Sequence, residues 1–349
     1  MNFPVSGEPL HTRCISIDLY QAEGDAARFA GCVIDQRKSG FIAMAGDFQS
    51  AGIIHNMELD GEFSASSRVL ERVKGRQPVV AYEPTRETGG ECCRDPIQRI
   101  EALAGERFDE RFAKALMHAY GGPLGCSHLL TLFRAVAALV PRALDREAAA
   151  GFGPARRDVG EQFFTRSLFV DGFRKRDGTI QISIRIADVH TGPYRDLKAP
   201  MDRLNRYDEL RIVADVDVAA FSISGLVAGE RSRSPATWET ADWVDRSADV
   251  ASFKGQSLGS GMAAASFERL GGREDCQLLL EAMLHFAPGF IQVIAGLGGD
   301  RPAGAGGGFG GMAGANHFGG QANACYMWRT ESPLMQIRTR SLADGVPDP

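Results

Sequence analysis

The sequence predicts an α+β protein: two tandem copies of a β-hairpin-rich, helix-capped unit, packed as a pseudo-two-fold antiparallel-sheet body. Three observations predict it. Each half opens with apolar residues alternating at period two. The period then lengthens to that of a helix. Three landmarks recur in the same order at nearly equal spacing: a Thr-Arg pair (Thr12-Arg13, Thr165-Arg166), a second strand pair, and a helix start "GGPLGC" at Gly121–Cys126 or "GGREDC" at Gly271–Cys276. The first copy spans residues 1–150, the second 151–297, and a glycine-rich segment with a tail fills 298–349.

In the first copy, "TRCISIDLYQAEG" alternates as a strand and "ARFAGCVIDQRK" returns after the turn residues Gly24 and Asp25. "GIIHNMELDGEF" and "SSRVLERVKG" make a second pair. "RDPIQRIEALAG" reads as a helix, with Pro96 at its start and Asp95 as its cap. "DERFAKALMHAY" is a helix stopped by Gly121-Gly122. "SHLLTLFRAVAALVPRALDREAAA" is a longer one, broken before Pro141. The linker "REAAAGFGPARRDVGEQ" ends the copy through Gly151, Gly153 and Pro154.

The second copy repeats this order with a hairpin through "RDGT", the pair "RYDELRIVADVDVAAFSISGLVAG" and the helix "QLLLEAMLHFAPGFIQVIAG". Beyond Leu297, "GGDRPAGAGGGFGGMAGANHFGGQA" carries too much glycine for a packed element and reads as a tether or a lid. It lacks the GK[ST] ending of a phosphate loop. "ACYMWRTESPLMQIRTR" reads as one more strand.

Composition narrows the function. The 349 residues are 44% hydrophobic and 24% charged, with net charge −5. No basic stripe occurs, which argues against nucleic acid as a partner. The start "MNFPVSGEPLHTR" lacks a signal-peptide pattern, and no apolar run looks long enough for a membrane span. Seven scattered cysteines then read as reduced thiols of a cytoplasmic protein. A homo-oligomer stays open.

The histidines single out one copy. Aligned on the Thr-Arg pair, His11 falls opposite Phe164, His55 opposite Tyr207 and His128 opposite Leu278. That is the pattern of a site kept in one copy and converted to packing in the other. His128 opens a helix, where orphan N–H groups disfavour an imidazolium. A neutral imidazole there can exchange a proton near pH 7. Cys126 in the same turn would feel the same field if exposed, but Cys276 keeps a cysteine where no histidine follows, which favours a small packing residue. Arg13 and Arg166 occur in both copies, as structural ion-pair residues would. His118, His190, His285 and His317 fit no pattern. Three histidines also suit zinc or iron with an open position, although no H-x-H or H-E-x-x-H spacing occurs.

At these residues the chain resembles a bacterial family catalogued as domain of unknown function 2889. The resemblance rests on "LHTR" (Leu10–Arg13), "IHNM" (Ile54–Met57) and "GGPLGCSHLL" (Gly121–Leu130), and in the second copy on "RDGTIQISIRIADVH" (Arg176–His190). Asn56 stands where the family has an aspartate. Members are associated with bacterial breakdown of aromatic compounds, including lignin-derived ones. The resemblance implies a cofactor-independent lyase acting on a small phenolic aromatic dimer and releasing formaldehyde. His55 and His128 are then the proton-transfer pair, and His11, Tyr82, Cys126 and Tyr207 the candidates for holding the substrate. Two other readings are a metal-dependent hydrolase or lyase on the three histidines, and a non-catalytic protein that binds an aromatic ligand.

Overall fold

The computed structural model describes residues 1–44, 47–259, 261–297 and 322–343. At its centre lies β1 (Glu8–Gln21), where alternation is strict. Ile15, Ile17 and Leu19 are fully buried, while Cys14, Ser16 and Asp18 between them face the other side and are only half-buried. β2 (Ala26–Met44) returns antiparallel, followed by β3 (Asp47–Ser64) and β4 (Leu70–Val79).

On the other flank of β1 lie β5 (Gln162–Arg174), β6 (Ile180–Thr191), β7 (Leu204–Asp217), β8 (Ser222–Arg233) and the short β9 (Val244–Asp245). The result is one nine-stranded antiparallel sheet in the order β4-β3-β2-β1-β5-β6-β7-β8-β9. The chain thus runs outward from the centre in both halves. Both expected units share this sheet and one hydrophobic core.

Helices cover the face that carries Ile15 and Ile17. α1 (Phe112–Tyr120) buries Phe112, Leu116 and Tyr120, one turn apart each. α2 (Ser127–Ala149) lays Leu132, Phe133, Val136 and Val140 onto the sheet. α3 (Ser247–Val250) is a single turn, α4 (Met262–Leu270) buries Met262 and Leu270, and α5 (Gln277–Leu297) lies against β1 and β5. Two segments spanning most of α2 and α5, Ser127–Ala149 and Glu274–Ala295, are long and apolar enough by length and composition to cross a membrane, which corrects the expectation that no such stretch exists. About half of each is buried against this sheet and core.

Three further expectations are corrected. α2 is unbroken: Pro141 lies inside it, because Val140, Ala143 and Glu147 on either side keep the buried stripe in phase. The helix expected at "RDPIQRIEALAG" is a 3₁₀ turn, Ile97–Leu103, and Asp95 does not cap it but accepts the Cys92 N–H at 3.0 Å. The tail is not a strand. It forms a 3₁₀ turn at Tyr326–Trp328 and α6 (Pro333–Ala343), where Pro333 opens the helix and the Ser332 hydroxyl accepts the Met335 N–H at 3.2 Å. The glycine-rich stretch 298–321, with His317, lies outside the described residues.

Close approach of α5 to the sheet rests on glycine. A Cβ on Gly172 of β5 would come within 2.3 Å of the Val293 side chain, and one on Gly289 within 2.5 Å of Val170. Gly172→Ala is therefore expected to destabilise the fold by about 1–3 kcal/mol through overpacking. A urea midpoint unchanged from the parent would contradict this contact.

Candidate functional site

Three strands and one helix bring four side chains to one carboxylate. Arg13 and His11 are neighbours on the inner face of β1. Asp35 projects from the same face of β2 and is fully buried. His55 stands cross-strand from Asp35 on β3, at a point where the ladder slips by one residue beside Ile54. That bulge leaves Ile54 and His55 both buried, where simple alternation would have exposed one. α2 starts at Ser127 and lowers His128 onto the group from above.

Asp35 is the hub. Arg13 donates to both its oxygens, Nε to Oδ1 and Nη2 to Oδ2, each at 2.9 Å. His128 Nε2 lies 3.3 Å from Oδ2, His55 Nδ1 lies 3.7 Å from Oδ2, and His11 Nε2 lies 3.6 Å from Oδ1. The rings of His55 and His128 lie 3.8 Å apart at 31°. His11 Nδ1 and Nε2, His55 Nδ1 and His128 Nε2 are buried without a hydrogen-bond partner. Open buried atoms also occur elsewhere among the described residues, on Tyr120 and His285 for example; what sets these four apart is that they gather around one carboxylate.

The charges follow from the packing. Burial pushes the Asp35 carboxyl up, but the Arg13 guanidinium, with His128, outweighs it and holds Asp35 well below the usual range. Burial lowers His11 and His55 to about 4, against the pull of Asp35. Burial, reinforced by His55, takes His128 well below its usual value. All three imidazoles are therefore neutral near pH 7; for His128 the cause is burial and the neighbouring His55, where the sequence had pointed to the helix start.

A pH dependence of stability follows. In the unfolded chain these histidines titrate at 6.5, and in the fold His11 and His55 titrate at about 4. Between those values the unfolded chain binds more protons, so acid favours unfolding. The stability present above pH 6.5 is expected to fall away as the pH drops from 6.5 to about 4. His11→Phe should flatten that slope, read as the urea midpoint against pH, and an unchanged slope would count against the neutral assignment.

Of the residues expected to meet, His11, His55 and His128 do. Cys126 joins them, its Sγ 3.9 Å from His128 Nδ1. It is buried and its thiol is pushed up to about 12, chiefly by burial, so it acts as packing. Tyr82 does not join. Its ring lies edge-on to Trp328, 5.7 Å away, in a small cluster with Met327 and Leu334. Tyr207 does not join either. It pairs with Val189, and the residue cross-strand from Asp188 is Asp208, as His55 is from Asp35. The expected counterpart is thus one residue off, and a one-residue step on a strand turns the side chain to the opposite face. Tyr207 packs there against Trp238 and Arg233, five strands from β3, about 24 Å at ordinary spacing.

The second half has an ionic network at the matching depth. Arg166 donates to both oxygens of Asp188 at 2.7 and 2.8 Å and to Glu281 at 2.6 Å. Arg142 and Arg146 of α2 reach Asp208. Arg13 and Arg166 are thus the ion-pair residues their repetition implied. Asp35 was missed, although a signal existed. Arg13 and Asp35 lie 22 positions apart, as do Arg166 and Asp188. An aspartate at an inward strand position also needs a cation. Of the bland histidines, His190 is tied to Glu147 at 2.5 Å and Asn205 at 2.7 Å, His285 is buried, and His118 is exposed.

As metal ligands, Asp35, His55 and His128 each offer one donor atom, all within 4.8 Å of one another. Three such donors are chemically adequate for a divalent transition metal. Arg13 shares the Asp35 oxygens and would compete for their lone pairs.

Comparison with known proteins adds two kinds of likeness. A cysteine–tRNA ligase of Pseudomonas putida strain KT2440 is 30% identical over 146 residues, 42% of this chain and 29% of the ligase. That of strain GB-1 is 36% identical over 77 residues, 22% of this chain and 16% of the ligase. The aligned stretch therefore spans less than a third of either ligase. The region that builds the histidine cluster, residues 11–141, matches the family model described as protein of unknown function DUF2889.

Proposed function

We propose that the chain is an internal duplication whose first half keeps an acid–base site, and that it is a cofactor-independent lyase acting on a phenolic, lignin-type aromatic dimer. Register supports the duplication. Ile15 pairs with Leu168 at the β1–β5 seam, Arg13 lies two residues before Ile15, and Arg166 lies two before Leu168. Outward from that pair the strand order is the same in both halves as far as β4 and β8. The observation that carries the catalytic reading is the set of buried, unpartnered imidazole nitrogens around one Arg-locked carboxylate.

The chemistry needs proton transfer and no redox partner. The ionised para-phenol pushes electrons through its ring and expels the benzylic oxygen, which takes a proton, leaving a quinone methide. A neutral imidazole removes the O–H proton of the neighbouring CH₂OH. The C–C bond breaks and formaldehyde leaves; the pair of that bond forms a C=C bond to the former benzylic carbon, and the exocyclic pair of the quinone methide returns to the ring to restore the phenolate. An imidazolium formed at His128 or His55 stands beside Asp35, which stabilises that charge as it develops. With the two rings 3.8 Å apart, one proton at a time is favoured on the pair.

Incubation with a panel of phenolic dimers, assayed for formaldehyde, tests this. No release from any of them sinks the lyase reading. The donor spacing of Asp35, His55 and His128 favours one second reading, a metal-dependent hydrolase or lyase. A stoichiometric zinc or iron in the purified protein, with activity lost on chelation, would replace the first reading by the second.

A further inference from the structure

We propose that Arg37 is the anchor for the phenolate oxygen of the aromatic substrate, an inference that extends the function proposed above to what the site recognises. Arg37 follows Asp35 by two residues on the inward face of β2 and stands directly cross-strand from His11. It is 4% exposed. Its Nη1 donates to the Gln49 carbonyl at 3.1 Å, and among the described residues no carboxylate pairs with it. The other buried guanidiniums differ: Arg13 holds Asp35, Arg157 holds Glu147 and Glu161, and Arg166 holds Asp188 and Glu281.

A buried cation without a counter-charge costs stability. Its presence beside a catalytic cluster is explained if the counter-charge arrives with the ligand. The second half carries the contrast. There the residue cross-strand from Phe164 is His190, closed off by Glu147 and Asn205. Spacing also fits. Two residues along a strand cover about 7 Å, roughly one aromatic ring with its oxygen. A phenolate held at Arg37 therefore presents its benzylic carbon toward Asp35, His55 and His128. The guanidinium also favours the ionised phenol that the elimination requires.

Binding of para-nitrophenol, read from its phenolate absorption, tests the anchor without any turnover. In the wild type the bound probe should ionise at lower pH than the free probe. Arg37→Met should abolish that shift and weaken phenolate binding about 10- to 100-fold, and Arg37→Lys should fall between. Stability of Arg37→Met, by urea unfolding, should equal or exceed that of the parent. Para-nitroanisole, which has no ionisable oxygen, should bind weakly and equally to both proteins. An unshifted probe ionisation, equal binding by Arg37→Met, or preference for para-nitrobenzoate over para-nitrophenol would each overturn the proposal. If phenolate binding depends on Arg37 but no dimer yields formaldehyde, the lyase reading fails and the anchor stands.

Discussion

Asp35→Ala is expected to cost about 3–5 kcal/mol of stability, because it strands the Arg13 guanidinium in the core. Arg13 is 2% exposed and both its hydrogen bonds to a side chain end on Asp35. Neither partner is replaceable alone. Removing both should be far milder, since two well-packed apolar residues recover the desolvation that the pair incurs. Arg13→Met with Asp35→Leu is thus expected to restore most of the stability lost in Asp35→Ala while leaving the histidines without their carboxylate. The second half supplies the control. Asp188→Ala leaves Arg166 still bonded to Glu281, so its cost should be smaller. Urea unfolding of the four proteins reads all of this. A loss below about 1 kcal/mol in Asp35→Ala would place the pair in the class of surface ion pairs and remove the hub from the site.

His128→Gln is expected to lower formaldehyde release about 10²- to 10⁴-fold, the usual contribution of one positioned proton-transfer group. The fold should survive, because the ring sits at the first turn of α2 and its nitrogen Nε2 bonds nothing that the helix needs. His55→Gln should lose a similar factor. The double variant should lose little beyond the worse single one if the two close, tilted rings act as one relay. Loss of rate with an unaltered pH profile in the residual activity would mean that His128 only shapes the site. Full activity in either single variant would remove that histidine from the chemistry.

Much of this architecture was legible before any coordinates. Strict alternation around Ile15 and Ile17 marked β1, and the glycine pairs before Cys126 and Cys276 marked the approach to each long helix. Those are local signals, set by side-chain period and backbone freedom. The misses were also local in origin. Proline argued for a break in α2, and burial of its apolar stripe against the sheet overrode that signal; the tail, read as a strand, instead forms α6, with Leu334 in a small cluster with Met327. Tyr207 was set opposite His55 by spacing alone, and in the β6–β7 ladder it is Asp208, one residue on, that stands cross-strand from Asp188 as His55 does from Asp35.

By itself, the sequence determined which residue types were available: four histidines in residues 1–150, three of them set opposite Phe164, Tyr207 and Leu278, and an arginine on the first strand of each half. Only the tertiary structure decided that those three histidines share one carboxylate, that Tyr82 and Tyr207 lie elsewhere, and that Arg37 is buried with no acid paired to it among the described residues. The physical reason is distance along the chain. Asp35, His55 and His128 come from β2, β3 and α2, and what joins them is strand register and the docking of one helix end, neither of which any short window of sequence encodes.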